Sequence, residues 1–104
     1  MFKAMILLKR RDDMTFAAFT DWWLREHAPL AAALPGVRGV HFNLVAGDGS
    51  SAFDGVSELW FDSQADFDAA YASARGQAVA ADSMANVSRR ERVFVAEHRV
   101  VPAP

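Results

Sequence analysis

The run Phe2 to Lys9 carries apolar side chains on both of its alternating sets, Phe2, Ala4, Ile6 and Leu8 against Met5 and Leu7. A strand with one wetted face alternates apolar and polar residues, so a run that is apolar on both sets belongs in a sheet covered on two sides. The pattern returns further along, where Leu59 and Phe61 oppose Val56 and Trp60. In a chain of 104 residues there is material for one core and not for two, so residues 1–104 are expected to form a single domain. Hydrophobic residues make up 52% of the chain and charged ones 23%, a balance that favours a packed core over a disordered chain.

Between these runs the sequence supplies helices and turns. After the charged turn Arg10 to Asp13, Thr15 is placed to cap a helix, with Met14 and Phe19 at the positions of a hydrophobic staple. Phe16, Phe19, Trp23, His27, Leu30 and Leu34 trace one helical face that ends before Pro35-Gly36. Val37 to Val45 reads as a second strand, 46–54 as a loop rich in Gly, Ser and Asp, and Gly55 to Phe61 as a third strand completing a hairpin. Ser63 followed by Asp66 opens a second helix with Phe67, Ala70, Tyr71 and Ala74 on its apolar face. Gly76 is expected to break or bend it before a further helical stretch from Gln77 to about Met84, and Glu91 to Val101 reads as the fourth strand. The order β-α-β-β-α-β predicts an α+β, ferredoxin-like fold with both helices on one face of a four-stranded antiparallel sheet. The other face would leave large apolar side chains bare, and a second copy packed on it with two-fold symmetry is the simplest cover. A homodimer is therefore expected.

Several chemistries find no support. Without cysteine there are no disulfides or thiolates. The 11 basic and 13 acidic residues are mixed along the chain, and the short basic runs Lys9 to Arg11 and Arg89 to Arg92 read as solvated surface, not as a nucleic-acid or membrane stripe. Ala4 to Leu8 is too short for a signal-peptide core or a membrane span, and a cytoplasmic setting is expected. Histidines at 27, 41 and 98 lack ligand spacing, so no metal is expected, and His98 reads as a strand-end surface residue. Gly47-Asp48-Gly49 lacks the helix and lysine of a phosphate cradle.

His27 stands out. Four residues from Trp23 and three from Leu30, it faces the sheet. Two residues later Pro29 lacks an N–H, so the helix is expected to kink or restart there and open room for a ligand beside an imidazole that can act as general base or acid. The other reading is a core histidine satisfied by a backbone carbonyl. His41 and Asn43 share a strand face, and Glu58 and Trp60 either join them or lie opposite, because strand register is not readable from one sequence. Together they form a polar pocket or a satisfied network at the dimer interface.

Residues 7–15 (L-L-K-R-R-D-D-M-T), 22–30 (W-W-L-R-E-H-A-P-L), 34–38 (L-P-G-V-R), 54–63 (D-G-V-S-E-L-W-F-D-S), 74–78 (A-R-G-Q-A) and 93–98 (V-F-V-A-E-H) resemble the EthD family of small dimeric α+β barrel proteins. The resemblance spans nearly the whole chain, with the H-A-P-L step and the 54–63 piece its most specific parts. It implies a homodimer closing into an α+β barrel, a pocket in each subunit between sheet and helices, and His27 as the catalytic residue at that pocket. Relatives include cofactor-free isomerases acting on lactones and proteins of ether degradation, and similar barrels include cofactor-independent oxygenases. The expectation is thus an isomerase, lyase or oxygenase of a catabolic or secondary-metabolic pathway. It would need no cofactor and would move a proton on a small apolar carbonyl, lactone or ether-derived compound. Trp23, His41, Phe42, Asn43 and Trp60 are the candidate substrate-binding residues. The alternative is a non-catalytic ligand-binding or accessory protein of a degradation pathway. Many relatives carry an aromatic residue followed by polar ones on the second strand. Here Val40, His41, Phe42 and Asn43 stand there, so the polarity of the pocket is expected to differ.

Overall fold

The two-faced first strand lies inside the sheet. In the computed structural model, which describes residues 1–104, β1 (Phe2–Arg10) runs between β3 (Gly55–Phe61) and β4 (Val87–Val95), with β2 (Gly39–Leu44) outside β3. All three pairings are antiparallel. One helical rod connects β1 to β2, built of α1 (Phe16–Asp21), a π-helical turn (Trp22–His27) and α2 (Ala28–Ala32). A second helical layer, α3 (Gln64–Ala72) and α4 (Ala74–Asn86), connects β3 to β4. This is the ferredoxin-like α+β architecture. No helix is long and apolar enough to cross a membrane.

Strand register decides which residues meet. Phe42, Ser57, Ile6 and Arg92 stand in one row across the sheet, and Leu44, Gly55, Leu8 and Arg90 in another. Both rows face the helices. The row between them, Asn43, Val56, Leu7 and Glu91, faces away, as does the next one beyond Ile6, made of His41, Glu58, Met5 and Val93. Under the helices Phe19, Trp23, Leu59, Phe61 and Phe67 are fully buried, each Leu or Phe contributing about 1.5–3 kcal/mol by leaving water. Thr15 and Ser63 cap α1 and α3 as the sequence predicts, accepting from the N–H groups of Ala18 and Asp66.

The structure sharpens one detail and revises two. The helix restarts at the proline, since α2 begins at Ala28 with Pro29 in its first turn. The turn before it widens, so that the Ala28 N–H reaches the Trp23 carbonyl five residues back. That wider turn moves backbone carbonyls away from the proline ring, which crowds the residue four back in an α-helix and offers no N–H.

Next, the break in the second helical layer falls at Ser73, not Gly76. The extended backbone of Ser73 ends α3 while its hydroxyl accepts from the Gly76 N–H to start α4. Gly76 instead permits close approach, since a Cβ there would lie 2.1 Å from the Ala70 carbonyl oxygen and 2.4 Å from Tyr71 Cα. Last, β4 begins at Val87 and ends at Val95, earlier than the apolar pattern suggests, because its partner β1 pairs along the whole segment from Arg10↔Val87 to Lys3↔Val95. Residues 96–104 leave the sheet.

A second glycine sets the depth of the helix over the sheet. A Cβ on Gly55 would come within 2.6 Å of the Trp23 ring, so the bare backbone of β3 is what lets the indole lie flat against it. Gly55→Ala is expected to destabilise the fold by about 1–3 kcal/mol through overpacking. Gly76→Ala, which meets backbone, should cost at least as much. Urea unfolding of each variant beside the wild type measures both.

Candidate active site

His27 closes the π turn and is 5% exposed. Its Nδ1 lies 2.8 Å from Oδ2 of Asp82 on α4, and its Nε2 lies 3.2 Å from the Ser83 hydroxyl. A carboxylate only accepts, so Asp82 fixes the proton on Nδ1 and leaves the Nε2 lone pair facing Ser83 and the cavity beyond. The same Asp82 oxygen also accepts from Trp22 Nε1 at 3.2 Å. The histidine therefore bonds to side chains of α4 and not to a backbone carbonyl.

The π turn makes this convergence possible. Residues five apart on an α-helix point about 140° away from one another, at roughly 100° per residue. With hydrogen bonds running i to i+5, Trp22 and His27 instead lie on one side, their rings 5.0 Å apart and tilted by 38°, and both reach Asp82. Burial pushes the His27 imidazole below its ordinary value of 6.5, more than the Asp82 hydrogen bond and charge raise it, and the nearby Arg90 charge pushes the same way. The imidazole is neutral at neutral pH and available as a base.

Nε2 looks into a cavity of about 10 Å³, room for about one water molecule, between the sheet and the helices. Ile6, Leu8, Phe42 and Leu59 supply its apolar walls, and Ser57, Tyr71, Ser83 and Arg90 bring polar groups to it. Phe42, expected as a substrate-binding residue, is at this cavity. Trp23 does not line it. Fully buried, Trp23 stacks on Phe42 at 4.3 Å and 9° and so holds that ring in place from behind.

His41, Asn43 and Trp60 sit with Glu58 on the opposite face of the sheet, away from His27. They form a real cluster: the Asn43 amide donates to Glu58 at 3.1 Å, His41 Nδ1 lies 3.8 Å from Glu58, and the His41 and Trp60 rings meet edge to face. Its centre is Lys3, which pairs with Glu58 and Glu97 at 2.8 Å each beneath the Trp60 ring. Burial alone would lower the Lys3 ammonium, but its two carboxylate partners outweigh that and raise it. The strand parity that unites these four residues also excludes them from the His27 cavity.

Asp82, Ser83, Tyr71 and Arg90 are residues of this site that the sequence alone does not announce. Gly76, Val79 and Ser83 are the buried residues of α4 and recur at steps of three and four, a helical face concealed by its small side chains. Arg90 was hidden in a basic run read as solvated surface, a reading that holds for the exposed Arg89 and not for Arg90. Alternation along β4 is the signal that separates the two.

Comparison with known proteins agrees with this fold. The family model for the EthD domain matches residues 11–89. An EthD family protein from Bacillus halodurans C-125 superposes with a TM-score of 0.82 at 25% identity, over 94% of this chain and 99% of that one. Two further structures share the fold: a dimeric ferredoxin-like protein of unknown function from Thermobifida fusca YX, and the hydroxynitrile lyase of Passiflora edulis. The first has a TM-score of 0.76 and 19% identity over 92% of this chain and 90% of that one. The second has a TM-score of 0.75 and 14% identity over 97% and 96%. No curated protein gives a significant sequence match. With the family model spanning most of the sequence and the fold in agreement, the chain belongs to the EthD family.

Proposed function

We propose that the protein is a proton-transfer enzyme that works without a cofactor on a small, largely apolar carbonyl or lactone compound, with His27 as its base. The observation that carries this reading is the pairing of the buried His27 with the partly buried Asp82, with Nδ1 held by the carboxylate at 2.8 Å and Nε2 turned to the cavity. In the step envisaged, Nε2 takes a proton from the carbon beside the carbonyl and leaves an enolate. Asp82 stabilises the imidazolium formed, and the same proton returns at another position, so no electrons are exchanged with a second reagent. Phe42, backed by Trp23, is the apolar wall. The Passiflora enzyme of the same fold supports a catalytic use of the architecture, though its reaction is its own.

We further propose that two copies pack through the helix-free face. Leu7, Val56 and Trp60 are half-buried there and Val93 is 47% exposed, apolar surface that a monomer would leave in water. The dimeric neighbour from Thermobifida fusca supports a dimer, and the exposed apolar face supports this way of forming it. The His41, Asn43 and Trp60 cluster would then belong to the interface and not to the substrate.

Deuterium uptake beside the carbonyl of small ketones and lactones, followed by NMR, tests the catalytic reading. Wild type is expected to exchange. His27→Gln should lose about 10²-fold or more of the rate, and Asp82→Asn a smaller but clear part. Exchange equal in wild type and His27→Gln would overturn the reading, and binding without exchange would favour a non-catalytic ligand-binding protein.

Stability supplies a second measurement. Because the folded imidazole is harder to protonate than the unfolded one, the unfolded chain binds more protons below 6.5. Stability is expected to be full above that value and to fall as pH drops beneath it. In His27→Gln the slope over this window should flatten. In light scattering, Leu7→Asp should shift the protein from dimer to monomer while leaving its helical circular dichroism intact.

A further inference from the structure

Arg90 is the one basic side chain at the His27 cavity, and it has no acid to pair with. Beside it in sequence, Arg89 bonds Glu91 on the other face of β4, whereas the groups that face Arg90 are the neutral Tyr71 phenol and the like-charged Arg92. The one carboxylate near the cavity, Asp82, already accepts from His27 and Trp22. The Arg90 Nε–H is shut off from solvent and has no hydrogen-bond partner. A guanidinium lodged in a largely apolar wall with a donor left over is an incomplete site, and its fork of donors matches an anionic oxygen.

The walls also indicate how a ligand enters. Of the residues around the cavity, only Phe42, Tyr71 and Arg90 are partly exposed. Phe42 is clamped flat against the buried Trp23. Tyr71, by contrast, packs at an angle on Phe67 and rests its phenol against Arg90. A cavity of about 10 Å³ holds no organic ligand until a wall moves, and Tyr71 is a partly exposed wall at the margin of the core, not inside it.

We propose that Arg90 is the binding group for an anionic oxygen of the ligand, a phenolate, enolate or carboxylate, and that the ligand enters by displacing the Tyr71 phenol and taking its place on Arg90. The proposal rests on reading this cavity as the substrate site and names its second pole: His27 Nε2 handles the proton while Arg90 holds the oxygen on which charge gathers. A ligand bridging the two is an apolar body with one acidic or enolisable oxygen.

The probes are 4-nitrophenol above its own pKa, where it is ionised and its absorbance reports binding, benzoate as a carboxylate, and nitrobenzene as an uncharged control. Wild type should bind the phenolate better than nitrobenzene. Arg90→Gln should weaken the phenolate about 10-fold or more and leave nitrobenzene unchanged. Tyr71→Phe, which keeps the ring and removes the competing hydroxyl, should tighten it. Whichever of phenolate and benzoate loses more in Arg90→Gln identifies the kind of oxygen the site takes.

A merely structural Arg90–Tyr71 contact would make both variants bind more weakly. That result, or a wild type indifferent to the phenolate's charge, would overturn the proposal, and Tyr71→Phe decides the matter even if Arg90→Gln fails to fold. Arg90-dependent phenolate binding without carbonyl exchange leaves this inference standing and removes the catalytic one. His27-dependent exchange with phenolate binding blind to Arg90 does the reverse.

Discussion

A single oxygen of Asp82 ties the two helical layers together. It receives Nε1 of Trp22 and Nδ1 of His27, two donors from one turn of the first helical rod, while its own backbone belongs to α4 of the second layer. A partly buried carboxylate is costly unless its lone pairs are used, and here two ring N–H groups use them. The same contact fixes the histidine tautomer, brings Ser83 to the other ring nitrogen, and sets the height of α4 over the sheet. The rod is in turn seated by Trp23 on the bare backbone of Gly55. Site geometry and helix packing are thus one set of contacts, and neither can shift alone.

How much of this was legible in the sequence depends on which signal each residue left. The element order, the caps Thr15 and Ser63 and the inward face of His27 could be read because capping residues and helical spacing are local. Trp22 could not be placed by α-helical spacing, which points it away from His27. Only the π turn, a response of the whole rod to Pro29 and to the core beneath, brings the two together. Asp82 and Ser83 lay on a helix whose buried face is made of small residues and so leaves no apolar periodicity. The division of His41, Asn43 and Trp60 from His27 required strand register, which pairing fixes and a single strand does not announce.

The sheet separates two kinds of polar chemistry. On its helix-free face Lys3, Glu58 and Glu97 form a charge-paired cluster in which the ammonium is met by two carboxylates at 2.8 Å. Such a cluster is complete and suits a surface that has to be shielded without reacting. On the helix-covered face Arg90 keeps a free donor, and the His27 lone pair is met only by the hydroxyl of Ser83, with apolar side chains between the two. Incompleteness on one face and completion on the other follow from alternation along the strands: neighbouring residues such as Glu58 and Leu59 go to opposite environments.

The π turn also makes this protein tolerant of a change in length where helices are usually unforgiving. A turn closed from i to i+5 holds one more residue between bonded partners than an α turn. Losing one residue between Trp22 and His27 would let the segment relax into plain α-helix with its two flanks still in phase, because an α-helix turns about 100° per residue and the wider turn less. Phe19 would keep its place in the core, whereas Pro29 would meet a carbonyl again. Among relatives, a one-residue gap in this segment would therefore mark a differently wound rod over the same core, with the letters on either side still aligned.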